Sequence, residues 1–256
     1  LEDTPAFLNF PAEDGEVLYG ERIFVGYRYY DKRKITPLFP FGHGLSYTEF
    51  TYSDIAVAPE RPSNTDTVTV SVTVTNSGSI VGKEVVQLYV RDAEASVERP
   101  QKELRGFHKV ELAPGQRETI QFALTERDFA YYSTRHGQWI AESGDFELLV
   151  GASSRDIRLQ AKLTLQSDKE LNYRFSEYSF FREFWSNPDL RPLLIDLMPT
   201  WLGSHTADGL SLADANIQDF LQDQPMVKFP YFTAGEVDDA MIAEFITRWN
   251  ALTYTP

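Results

Sequence analysis

The sequence predicts a mainly β chain whose centre is a two-sheet antiparallel sandwich, flanked on each side by a segment of different character. Three observations carry this. Between about residue 50 and residue 166, apolar and polar residues alternate with period two. Turn signals separate the alternating runs at short intervals. After Ser167 the apolar period lengthens to that of a helix.

The elements follow in chain order. Phe50 to Ala58 opens the alternating region, and Thr67 to Thr75 places every Val on one face and every Ser or Thr on the other. Asn76-Ser77-Gly78 closes that run, and Glu84 to Arg91 puts Val86, Leu88 and Val90 on one face. Leu104 to Leu112 ends at Ala113-Pro114-Gly115, where Pro presets φ and Gly permits a positive φ. The sets Ile120/Phe122/Leu124, Phe146/Leu148/Val150 and Ile157 to Leu165 complete about seven strands. That number and spacing fit an immunoglobulin-like or fibronectin type III-like sandwich, in which two amphipathic sheets bury their apolar faces on each other.

The flanks read differently. In residues 1–49, Ile23, Phe24, Tyr27 and Tyr30 have helical spacing, and Phe41-Gly42-His43-Gly44-Leu45 reads as a loop. This segment is rich in aromatics yet too short to bury them, so it reads as the end of a domain whose body is missing. In residues 167–256, Phe180/Phe181/Phe184/Trp185, Leu190 to Leu197, a helix capped by Ser211, and Val237/Met241/Phe245/Trp249 within Glu236 to Trp249 give a mainly helical extension. Six basic residues face fourteen acidic ones there, so the tail carries a net −8.

Composition narrows the function classes. The chain has 256 residues, of which 24 are Lys or Arg and 38 Asp or Glu, a formal charge of −14. Coulomb repulsion opposes close approach to nucleic acid or anionic lipid, so neither is expected as a partner; neutral partners such as sugars stay open. No run of roughly 18 to 20 apolar residues is present, so no membrane span is expected. With 0 Cys, disulfides, thiol nucleophiles and Cys-based zinc sites are excluded.

Two groups of motifs are specific. Gly26-Tyr27-Arg28-Tyr29-Tyr30-Asp31 and Pro37-Leu38-Phe39-Pro40-Phe41-Gly42-His43-Gly44-Leu45-Ser46-Tyr47-Thr48 resemble the C-terminal edge of the second, α/β sandwich domain of glycoside hydrolase family 3 β-glucosidases. Val81 to Val90, Lys102-Glu103-Leu104-Arg105-Gly106-Phe107 and Val150-Gly151-Ala152-Ser153-Ser154 resemble the fibronectin type III-like domain that follows in that family. The resemblance implies three parts: 1–49, an N-terminal remnant of the α/β domain; 50–166, the fibronectin type III-like domain; and 167–256, a helical C-terminal extension that matches no motif. It implies a non-catalytic C-terminal portion of a retaining enzyme acting on terminal β-D-glucosyl residues, serving stability and domain arrangement. The expected partners are the missing N-terminal catalytic domains and, through them, a β-glucoside. A β-xyloside is the alternative substrate, and a free-standing carbohydrate-binding or protein-interaction module is the alternative role. No cofactor is implied.

No catalytic residue is carried over, because the family's Asp nucleophile and Glu acid/base lie upstream of Leu1. Candidate carboxylate pairs within the chain, Asp238-Asp239, Asp145 with Glu147, and Glu94 with Glu98, lack apolar surroundings that would raise one pKa and read as solvated surface groups. His43, His108, His136 and His205 are scattered, so a metal site is not expected. His43 is the one substrate-rim candidate: the resemblance implies a loop near the sugar site, where its imidazole could bond a hydroxyl or carboxylate. The alternative ties it internally to the first strand. Arg28 and Asp31 have the same two readings, and an ion pair within their own segment is expected for them. Tyr131, Tyr132 and Trp139 suggest sugar stacking, against a reading in which the Trp plugs the core. The Gly78 to Lys83 stretch lacks the spacing of a phosphate loop.

Overall fold

A computed structural model of the chain describes residues 1–168, 174–188, 191, 192, 194, 220–232, 235 and 237–253. The described chain divides into two compact units: residues 1–131 with 139–169, and residues 132–138 with the chain from 170 onward.

The first unit is the sandwich. One sheet has three strands in the order β1 (Phe50–Ala58), β2 (Val68–Asn76), β5 (Arg117–Leu124); the other has four in the order β4 (Glu103–Leu112), β3 (Gly82–Asp92), β8 (Gly144–Gly151), β9 (Ile157–Leu165). Every pairing in the two sheets is antiparallel. All seven strands lie where the alternation places them, because a one-residue slip would turn each apolar set outward. Val68, Val70, Val72 and Val74 meet Val86, Leu88, Leu112, Ile120, Phe146, Leu148 and Leu163 in one continuous core.

Two details depart from simple alternation. In β1 the register shifts between Ser53 and Ala56, with Asp54 at φ 54°, so the inward set changes phase from Phe50 and Tyr52 to Ile55 and Val57. In β3, Gln87 and Tyr89 point away from the core yet are buried. Something covers the outer face of that sheet.

The cover is the N-terminal segment. Helix α1 (Tyr27–Arg33) starts only after Gly26, so Ile23 and Phe24 lie in a preceding turn rather than in the helix that their spacing suggests. Between β5 and β8 come the short helix α2 (Glu126–Phe129) and the strands β6 (Tyr131–Ser133) and β7 (Gln138–Ile140), each three residues long and unmarked in the sequence pattern.

The second unit contains α3 (Phe181–Trp185), a 3₁₀ turn at Met226–Lys228, α4 (Phe229–Phe232) and α5 (Asp239–Thr253). Phe175, Phe181, Phe184, Met226, Phe229, Phe245 and Trp249 form its core, with the Phe184 and Trp249 ring centroids 4.3 Å apart. The last helix begins three residues later than Glu236, and Asp238 accepts a hydrogen bond from the Met241 N–H at its start (2.8 Å). The helix expected from Ser211 and most of the Leu190 to Leu197 turn lie outside the described residues.

Candidate functional site

The polar chemistry of the first unit concentrates where residues 26–49 cross the outer face of the four-stranded sheet. Asp31, on α1, is 6% exposed and its carboxylate accepts from Lys102 Nζ at 2.6 Å and Arg155 Nε at 2.7 Å. Arg28 pairs with Glu103 at 3.3 Å, and Glu103 is shared with Arg99 and Arg105. The pairing of Arg28 and Asp31 within their own segment is therefore corrected. One helical turn brings both side chains against the sheet, where Lys102, Glu103 and Arg155 already stand in charge-complementary positions.

Uncharged contacts extend the clamp. The Tyr27 hydroxyl accepts from the Leu104 N–H (2.8 Å), and its ring stacks on Phe41 at 4.9 Å. Gln87 Nε2 donates to the carbonyls of Gly42 (3.1 Å) and Ala152 (2.7 Å), while its Oε1 accepts from the Tyr89 hydroxyl (2.6 Å). Burial pushes the Tyr89 phenol well above its ordinary range, so it stays a donor. The Ser154 N–H donates to the Phe41 carbonyl at 2.9 Å.

Beside this clamp lies a cleft of about 720 Å³ between the 42–51 stretch, β3 and the β8–β9 turn. Its charged wall contains Glu84 of β3, Arg158 of β9 and Asp156 of the turn before β9, a constellation that the sequence does not bring to notice. Arg158 bonds Asp156 at 2.9 Å, stands 3.8 Å from Glu84, and lies over the Tyr52 ring at 4.7 Å. The Tyr52 hydroxyl donates to Glu84 at 2.8 Å. Burial raises the Glu84 carboxyl, against the opposing pull of Tyr52 and Arg158. This wall holds two carboxyl groups already engaged by one guanidinium and one phenol.

His43 lines the same cleft, exposed, with its ring stacked on Phe39 at 5.8 Å and its backbone N–H donating to the Pro40 carbonyl at 3.0 Å. Neither Asp145 with Glu147 nor Glu94 with Glu98 lines the cleft. Glu147 bonds Arg91 (3.1 Å), Asp145 accepts from Thr164 (2.7 Å), and Lys32 holds the Glu98 carboxyl below its usual range. Asp238 is the helix cap already described. His108 is exposed on β4 near Glu118, His136 bonds Ser133, and His205 lies outside the described residues. Among the described residues no three metal-ligating side chains converge. Trp139 is 40% exposed with Arg127 over its ring, so the expectation that it plugs the core is corrected. A three-residue strand outside both sheets points it outward.

Comparison with known proteins places this arrangement. A family description, fibronectin type III-like domain, matches residues 84–154. The thermostable β-glucosidase B of Acetivibrio thermocellus is 41% identical over 254 residues, which is 98% of this chain and 33% of that protein. The crystal structure of a Bifidobacterium adolescentis GH3 β-glucosidase superposes with a TM-score of 0.64 at 42% identity, covering 75% of this chain and 28% of that one. The chain corresponds to the C-terminal part of family 3 β-glucosidases. It spans about a third or less of the length of these relatives. An exo-α-(1→6)-L-arabinopyranosidase of Bifidobacterium breve is also 42% identical over 188 residues, 73% of the chain and 24% of the relative. The chain is thus similar to portions of proteins named for different glycosides.

Proposed function

We propose that the chain is the non-catalytic C-terminal portion of a retaining β-glucosidase, and that it fixes the arrangement of the catalytic domains. Its work is mechanical: residues 26–49 are held on the sandwich, so whatever precedes them is held too. The match along 98% of the chain to only 33% of a β-glucosidase carries this reading. On it, residues 1–49 are the trailing edge of an α/β domain, 50–166 the fibronectin type III-like domain and 167–256 a helical extension. The partner is the upstream catalytic polypeptide and the substrate, bound there, a terminal β-D-glucoside.

Retaining hydrolysis needs two carboxyl groups about 5 Å apart, one to attack the anomeric carbon and one to protonate the leaving oxygen. Both are assigned to the upstream part, and His43 to a rim beside it, its ring steadied by Phe39. The isolated chain is expected to give no turnover of an aryl β-glucoside. The A. thermocellus enzyme with its matching C-terminal third replaced by this chain is expected to hydrolyse it, whereas the same enzyme truncated there is not. Turnover by the isolated chain that survives purification would overturn the proposal, as would a folded but inactive chimera.

A further inference from the structure

The exposed large apolar side chains of the described residues are concentrated in one stretch of the sequence. Among the described residues, 14 of the 24 exposed large hydrophobic side chains fall within residues 1–47. Leu38, Phe39, Leu45 and Tyr47 are 89%, 68%, 93% and 95% exposed. Patches of this kind on a soluble protein mark contact surfaces. From Ile35 to Tyr47 there is no Asp, Glu, Lys or Arg, in a chain whose formal charge is −14. Depletion of charge is the compositional mark of the core of an interface.

The loop is also fixed before anything covers it. Gln87 holds the Gly42 carbonyl from the sheet below, Ser154 holds the Phe41 carbonyl, and Arg155 donates to the Ile35 carbonyl at 3.2 Å. A Cβ on Gly42 would stand 2.1 Å from Gln87 Oε1 and its φ is +79°, so loop and sheet approach closely there. Anchors below and apolar side chains above make a preorganised surface, which loses little further entropy on docking.

We infer that the loop from Ile35 to Tyr47 is the docking face for the upstream catalytic polypeptide, with Leu45 and Tyr47 as its apolar anchors and Gln87 as the residue that positions it. The inference rests on the functional reading above. The occupant follows from length and place: the relatives extend about twice this chain's length beyond the matched part, and the bare surface lies in the segment that joins it.

The test is hydroxyl-radical footprinting of the isolated chain and of the chimera with the A. thermocellus upstream part. Tyr47 oxidation is expected to fall in the chimera to the level of buried Tyr89, while Phe107, on β4 and 69% exposed, stays reactive. The double substitution Leu45→Asp with Tyr47→Asp is expected to leave the melting temperature of the isolated chain unchanged and to lower that of the chimera. An active chimera in which Tyr47 stays as reactive as in the isolated chain overturns the inference and leaves the functional proposal standing. Equal melting shifts in both proteins overturn it likewise. A folded, inactive chimera overturns the functional proposal and this inference with it.

Discussion

Asp31 shows how one buried charge commits a segment to its place. Its side chain is 4% exposed and is answered by two cations from different connections of the sheet. Truncating one member of a buried charge cluster leaves the others unpaired, at a cost of about 3 kcal/mol or more. Asp31→Ala is therefore expected to release α1: amide exchange over residues 27–33 should rise about a hundredfold, with the β2 amides unchanged. Equal acceleration in β2 would mean that the helix and the sandwich unfold together. Glu84 gives a second prediction, with a sign that can be worked out. Burial raises its folded pKa, so between pH ~4.3 and the raised value the folded protein holds a proton that the unfolded chain has lost. Stability must fall as pH climbs through that window. Asp92, also raised by burial, adds a contribution of the same sign. Glu84→Gln keeps an acceptor for Tyr52 and is expected to flatten the fall, measured as urea midpoints from pH 4 to 8; an unchanged slope would remove Glu84 as its source. Neither cluster was legible beforehand. Arg28 and Glu103, or Tyr52 and Arg158, stand far apart in sequence, and no local pattern announces a pair that only the crossing of a sheet creates.

At the scale of elements, legibility followed burial. The strands of the two sheets were readable because each buries one face, which writes period two into the sequence. Strands β6 and β7, at three residues each, are too short to show any period. The outward Gln87 and Tyr89 of β3 look like solvent-facing residues until α1 and the 41–44 loop are seen to roof them, and a large aromatic at an outward position was the available signal. The turn joining β8 and β9 ties this roof to the sandwich. The Ala152 N–H donates to the Asp156 carbonyl at 3.0 Å, and a Cβ on Gly151 would stand 2.1 Å from that same oxygen. Backbone cannot yield as a side-chain tip can. Gly151→Ala is expected to cost about 2–3 kcal/mol and to loosen Ser154 and Arg155, the residues that hold Phe41, Ile35 and Asp31. Faster exchange at the Ser154 amide and over α1, together with a lowered urea midpoint, is the expected signature. A variant as stable as the parent would show that the turn can widen without consequence.

For the whole molecule, what matters is that two apolar cores form without sharing a residue. The sandwich core runs from Val68 to Leu165, with Phe50, Tyr52, Ile55 and Val57 packed against it, and the helical core from Phe175 to Trp249. Hydrophobic burial is the dominant favourable contribution to folding, so a unit that keeps its core keeps most of its stability. Seven paired strands and a continuous cluster of Val, Leu, Ile and Phe stand in the first unit. The chain ended at residue 168 is therefore expected to fold: its far-ultraviolet dichroism should retain the β signature, and the slowest amides of β2, β3 and β8 should keep their protection to within about 1 kcal/mol. The near-ultraviolet band from Trp249, stacked on Phe175 at 5.2 Å, should vanish with the residues that make it. A truncated chain that exchanges all its amides rapidly would show instead that the helical part is needed for the sandwich to fold, and the acidic tail would then be a folding element rather than an appendage.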